Sequence, residues 1–103
     1  MLAHHVYFTL TDNSTPAREA LLAACHKYLS KHDGIQSFAV GRPAIGLERE
    51  VNDRDFDVAL AIVFRDRAAH DAYQDNPSHH QFIDEQKANW KNVRVFDIDL
   101  IAG

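Results

Sequence analysis

Seven consecutive apolar residues, Val58 to Phe64, constrain this chain more than any other feature. The run is far short of the ~20 residues that a helix needs to cross a bilayer. It mixes valine and isoleucine with alanine, leucine and phenylalanine, and it has no polar side. Such a segment reads as a strand buried on both faces, spanning 56–64 once Phe56 and Asp57 are included. A strand of that kind needs neighbours, so the chain must build a sheet around it.

Three more segments supply them. Residues 4–11 alternate, with His4, Val6, Phe8 and Leu10 on one side and His5, Tyr7, Thr9 and Thr11 on the other. That is strand periodicity. Residues 35–42 and 93–101 read as the second and last strands. Helices fill two of the intervals. Thr15 as N-cap with Pro16 behind it marks a start, and Leu21, Leu22, Cys25, Tyr28 and Leu29 recur at helical spacing. Asp33-Gly34 stops the segment, so the pattern predicts a helix over 16–32. Asp66 caps a short second helix carrying Ala69, Ala72 and Tyr73. Asn76-Pro77 breaks it and starts another, along which His79, Phe82, Ile83, Gln86 and Trp90 fall near one stripe. Pro43 to Asp55 is a polar loop, expected to be solvated and mobile, with a length that would also suit a lid.

The order strand, helix, strand, strand, helix, strand predicts the α+β, ferredoxin-like βαββαβ class with one antiparallel four-stranded sheet. Right-handed crossovers put both helical segments on one face of that sheet. Strand parity then leaves Tyr7, Ala59, Ala61, Val63, Phe96, Ile98 and Leu100 on the other face, with no element of the chain to cover them. Apolar patches of several hundred Å2 usually mark an interface. A second copy packed sheet against sheet, in an isologous homodimer, is the economical cover.

Composition narrows the rest. A chain of 103 residues fits one domain, here 1–103, with no second module. Cys25 stands alone, so no internal disulfide can form, which suits a reducing compartment. No basic leader followed by an apolar stretch opens the sequence, and a cytoplasmic location with no membrane partner is expected. A net charge of −4 argues against nucleic-acid binding, which needs clustered Lys and Arg.

Several motifs carry a family likeness. They are His4 in the first strand, Val40-Gly41-Arg42 ending the second, and Phe56-Asp57-Val58-Ala59-Leu60 opening the third. The most distinctive is Tyr73-x-x-x-Pro77-x-His79-x-x-Phe82, followed by Trp90 and by Phe96-Asp97. With these the chain resembles the stress-responsive A/B barrel domain (Dabb) family over nearly its whole length. The resemblance implies a ferredoxin-like protomer and a dimeric α/β barrel. It also points to a branch, the olivetolic acid cyclase-type polyketide cyclases, in which a tyrosine and a histidine matching Tyr73 and His79 do the chemistry. A histidine matching His4 lines the pocket of that branch, between helices and sheet. By the same likeness Val6, Phe8, Val58, Leu60 and Trp90 are expected as pocket residues. The chain departs from the branch at Val58, where the branch has histidine, and at Leu22 and Ala23, where it has bulky aromatics.

Tyr73 and His79 suit that role on their own chemistry. A phenol donates to a carbonyl oxygen, and an imidazole exchanges a proton near neutral pH. Together they fit proton abstraction beside a carbonyl, with Tyr73 holding the enolate oxygen and His79 taking the proton. Each residue also has a plainer reading, Tyr73 as packing under its helix and His79 as a turn satisfier. The same holds for His4 and Trp90 as core residues, and Cys25 reads as packing. The His4-His5 and His79-His80 pairs cannot chelate alone, because strand neighbours point to opposite faces and helix neighbours diverge by about 100°. No metal and no other cofactor is therefore expected. The leading expectation is a protein that binds or cyclises a carbonyl-rich small molecule. The alternative is a non-catalytic stress protein whose output is self-assembly. A monooxygenase on the same barrel fits less well, since the Tyr-x3-Pro-x-His motif is not typical of those enzymes.

Overall fold

The computed structural model describes residues 1–101. Its elements run β1 (Leu2–Leu10), α1 (Thr15–Leu29), β2 (Ile35–Gly41), β3 (Val58–Phe64), α2 (Arg67–Asp75) and α3 (Pro77–Gln86). A short 3-10 turn (Lys87–Asn89) then leads into β4 (Trp90–Asp99). All three strand pairings are antiparallel and the sheet order is β2-β3-β1-β4, the ferredoxin-like arrangement. The one domain expected over 1–103 includes residues 102 and 103, which lie outside the described residues.

Caps fix the helices locally, with one displacement from expectation. Ser14, not Thr15, caps α1, its Oγ accepting from the Ala17 N–H at 3.4 Å. The helix also ends at Leu29 rather than near residue 32. There Ser30 Oγ donates to the His26 carbonyl and His32 Nε2 sits 2.8 Å from the Tyr28 carbonyl, so side chains take the last carbonyls before Gly34 is reached. Gly34 has a positive φ of 86°, and a Cβ there would lie 2.4 Å from the Ala69 Cβ, so this turn is pressed against α2. Asp66 caps α2 as expected, accepting from the Ala69 N–H at 2.9 Å. Trp90 belongs to the start of β4 and not to the α3 stripe, because the 3-10 turn ends the helix first.

The core lies between the sheet and the helices. Phe8, Leu60, Ile62 and Phe64 pack under Leu21, Cys25, Leu29 and Tyr73. On β3 only alternate residues are buried: Val58, Leu60, Ile62 and Phe64 are inside, while Ala59 and Val63 are half-buried and Ala61 is exposed. The continuous apolar run therefore does not find two covers within one protomer. The molecule is a slab of 35 × 34 × 17 Å, thick enough for one sheet and one helix layer. Phe96 and Ile98 remain 50% and 42% exposed on the bare face. No helix among the described residues is long and apolar enough to cross a membrane.

The loop between β2 and β3 is less loose than its composition predicts. Asp53 takes a bidentate pair from Arg94 of β4, at 2.7 and 3.4 Å, and Arg94 also donates to the Asp55 carbonyl. Arg54 donates to the Ala44 and Leu47 carbonyls, closing the loop on itself. Phe56 stacks edge-on against Tyr7 at 5.0 Å. Asp57 accepts from the Leu10 N–H at 2.7 Å, so these two residues precede the strand rather than begin it.

Candidate functional site

Asn76 builds the site's central bend. Its side chain accepts from the Ser78 N–H at 2.9 Å and starts α3, while its own N–H donates to the Tyr73 carbonyl at the end of α2. Proline at the first turn completes the break. Two short helices thus meet at an angle, and the Tyr73 and His79 rings approach to 4.8 Å between centroids, edge to face. His4 of β1 and His32, just beyond α1, close on the same phenol ring at 5.9 and 5.1 Å.

His4, Tyr73 and His79 border a cavity of about 350 Å3 between the helices and the sheet. Its wall holds His4, Val6, Phe8, Leu60, Tyr73, His79 and Trp90, all of them expected from the sequence. Val58 is the exception. It is fully buried in the core and does not reach the cavity, so the position taken from the cyclase likeness is a packing residue in this chain. The wall also includes four residues not expected there: His70 and Val95, and Phe82 and Asp97, which stood only as parts of the family motifs. Asp97 was hidden because only the β1–β4 register, which sets it opposite His4, brings the two together.

Burial sets the electrostatics. Desolvation pushes the Tyr73 hydroxyl well above the usual phenol range, so it remains a proton donor at any working pH. The His79 imidazole is pushed down to about 4, first by burial and then by the neighbouring His80, His4, His32 and His70. His4 is also held below the usual histidine range, burial outweighing the Asp97 carboxylate 2.5 Å away. His79 Nδ1 and Trp90 Nε1 are buried without a hydrogen-bond partner among the described residues. Cys25 is fully buried and its thiol is pushed up to about 12, which keeps it protonated and inert as a nucleophile.

A larger concavity of about 580 Å3 lies on the opposite side of the sheet, bordered by His5, Tyr7, Phe56, Arg94, Phe96 and Ile98. Its Arg94 is already paired with Asp53, and its His5 and Tyr7 rings lie edge to face at 6.5 Å.

The family model for the stress responsive A/B barrel domain (Dabb) matches residues 2–100. No curated protein matches the chain in sequence. Solved structures share the fold. A Dabb-family protein with a ferredoxin-like fold from Mesorhizobium loti is 24% identical, covering 98% of this chain and 97% of its own, with a TM-score of 0.79. A dimeric ferredoxin-like protein of unknown function from Thermobifida fusca is 22% identical, covering 96% and 90%, with a TM-score of 0.76. A hydroxynitrile lyase from Passiflora edulis is 16% identical, covering 99% and 94%, with a TM-score of 0.77.

Proposed function

The chain belongs to the stress-responsive A/B barrel domain family, and from that premise we propose that it binds a carbonyl-rich, partly aromatic small molecule in the helix–sheet cavity. One observation carries the reading. Two buried polar atoms of residues in the wall of a largely apolar cavity, His79 Nδ1 and Trp90 Nε1, have no partner among the described residues. Buried polar groups are rarely left so, and a ligand that supplies the missing partners removes the penalty. The indole N–H asks for an acceptor oxygen, and the Tyr73 hydroxyl, held protonated, can donate to another. The rings of Phe8, Phe82 and Trp90, stacked within 5.0 to 6.2 Å of one another, suit a flat conjugated body.

The same groups support a cofactor-free, lyase-type ring closure. The His79 lone pair takes a proton from a carbon between two carbonyls, and the C–H electron pair becomes the enolate. Tyr73 donates to the enolate oxygen. The enolate carbon attacks a second carbonyl of the same molecule, and the resulting alkoxide recovers the proton from His79. An imidazole held near pKa 4 is a weak base for this step, so binding is the firmer half of the proposal. Ligand affinity should therefore change in the region of pH 4, where His79 takes its proton.

The bare sheet face supports a second element, a homodimer of two protomers packed sheet to sheet. Phe96 and Ile98 are half-exposed there, and the Thermobifida fusca neighbour is described as dimeric. The alternative, a non-catalytic protein acting through self-assembly, shares this interface and lacks the ligand.

Trp90 is the sole tryptophan, so its fluorescence reports the cavity directly. Titration with aromatic β-diketones and poly-β-ketones should give a saturable change. With a turned-over ketone, His79→Ala should lower the rate ~100-fold or more and Tyr73→Phe should lower it as well, both with the fold intact. A panel that leaves Trp90 fluorescence flat would overturn the ligand reading. Binding without turnover in the wild type would remove only the cyclisation.

A further inference from the structure

We propose that His4, His70 and Asp97 form a binding site for one divalent transition-metal ion at the β4 side of the cavity. The three side chains come from β1, α2 and β4, and one ligand atom from each lies within 4.8 Å of the other two. His4 Nδ1 is 2.5 Å from Asp97 Oδ1, and His70 Nε2 is 3.8 Å from that same oxygen. Ligands bound at about 2.0–2.2 Å around a tetrahedral ion sit roughly 3.3 Å apart. The observed spacings bracket that value, so small side-chain movements complete the triangle.

The second observation concerns His70. Its Nδ1 is 2.9 Å from Asp71 Oδ1, and a carboxylate can only accept, so the proton of the neutral ring sits on Nδ1. Nε2 is left with its lone pair, and this atom is buried with no hydrogen-bond partner. A carboxylate behind a histidine that offers its other nitrogen is the usual support of a metal-bound imidazole. His4 in turn ligates through Nδ1 once its proton moves to Nε2, with no net proton released. Asp97 remains 44% exposed, which leaves an entry path from the sheet edge.

Two imidazoles and one carboxylate select zinc, cobalt, nickel or ferrous iron over magnesium or calcium. Three protein ligands leave at least one position for water or an oxygen ligand. That position would border the cavity that Tyr73 and His79 also line. Residue spacing cannot reveal the triad, because it is assembled only by the β1–β4 register and the seating of α2.

The test is titration of the untagged, chelator-stripped full chain with Co2+, followed by visible absorption, with no organic ligand present. Its outcome is thereby separate from that of the ketone titration. One Co2+ per chain with a ligand-field spectrum is expected, displaced by Zn2+ and not by Mg2+. His70→Gln and Asp97→Asn should each weaken binding at least ~100-fold, and Asp71→Asn, acting by positioning His70, on the order of 10-fold. His5→Gln, on the opposite sheet face, should bind as the wild type does. His4→Gln changes a buried residue, so His70→Gln on the helix carries the test if that variant fails to fold. A wild type with no such spectrum at equimolar Co2+ overturns the proposal. So does an unchanged affinity in His70→Gln, which would leave His4 and Asp97 as a hydrogen-bonded pair only.

Discussion

The two faces of this one sheet are built from the same strands and do opposite things. On β1, His4, Val6 and Phe8 point toward the helices and are nearly inaccessible, whereas His5 and Tyr7 face outward and are only half-buried. On β4 the alternation runs the same way, Val95 and Asp97 pairing with Val6 and His4 while Phe96 and Arg94 pair with His5 and Tyr7. The inner face gathers titratable side chains in an apolar setting, where burial shifts their protonation. The outer face is broadly apolar and, apart from Arg94 clasping Asp53, chemically quiet. A period of two residues is enough to give one strand both a buried titratable face and a bare apolar one.

Substitutions at equal chemistry on the two faces should separate these roles. Phe64 is fully buried on the inner face, and Phe64→Ala should destabilise the protein by about 3–5 kcal/mol in denaturant unfolding. Phe96→Ala, half-exposed on the outer face, should cost well under half of that in a protomer. A large, equal loss at both positions would break the comparison. Ile98→Asp should leave the protomer folded but halve the mass seen by light scattering, because it places a charge in an interface expected to bury on the order of 1,600 Å2. A monomeric wild type at micromolar concentration, or a mass that ignores the aspartate, would mean the face is not the contact.

Acid should act through the inner face. His79 takes its proton near pH 4 in the folded chain and near its ordinary 6.5 when unfolded. Its stabilising contribution is therefore complete above about pH 6.5 and is lost as pH falls toward 4, since the unfolded state binds the proton first. His4, also lowered, acts in the same direction. The groups around His79 are His80 on α3, His70 and Tyr73 on α2, His4 on β1, His32 after α1, and Asp97 across the cavity. The loss from His79 should be on the order of 2 kcal/mol, allowing for its partial exposure. Urea midpoints for the wild type and His79→Gln should converge as pH drops from 6.5 to 4. Parallel curves would show that His79 titrates alike in both states.

What could be read from the sequence was local or periodic. Asp66 and Asn76 announce their caps, and strand alternation assigns His4 inward and Phe96 outward without any knowledge of partners. The run on β3 announces burial on both faces and one protomer covers only the inner one, because an apolar run reports the need for cover and not who provides it. Val58 was misplaced for a different reason: its position came from a family likeness, and only packing decides whether a strand residue reaches a cavity. Asp97 and His70 could not be placed beside His4, since that meeting depends on strand register and on the seating of a helix more than sixty residues away in sequence. The anchoring of the 43–55 loop by Arg94 is likewise a long-range pairing behind a polar composition.

The smallest effect expected is also the most local, and it tests how the inner face is held in shape. Asn76 accepts from the Ser78 N–H and the Ser78 hydroxyl, both at 2.9 Å, and its carbonyl accepts from the His79 N–H at 3.0 Å. Its own N–H reaches back to the Tyr73 carbonyl at 3.2 Å. One exposed residue thus ties the end of the Tyr73 helix to the start of the His79 helix. Asn76→Ala removes the side-chain cap and should cost about 1 kcal/mol, while Asn76→Ser, which can still accept from the helix N–H groups, should cost less. The backbone bonds survive in both variants, so the bend itself should persist. If ligand binding depends on how the bend aims Tyr73 and His79, Asn76→Ala should weaken Trp90-detected affinity by more than its stability loss explains, and Asn76→Ser should restore most of it. Equal affinities in all three proteins would reduce Asn76 to an ordinary helix cap and leave the aim of the two rings to the aromatic packing around Tyr73.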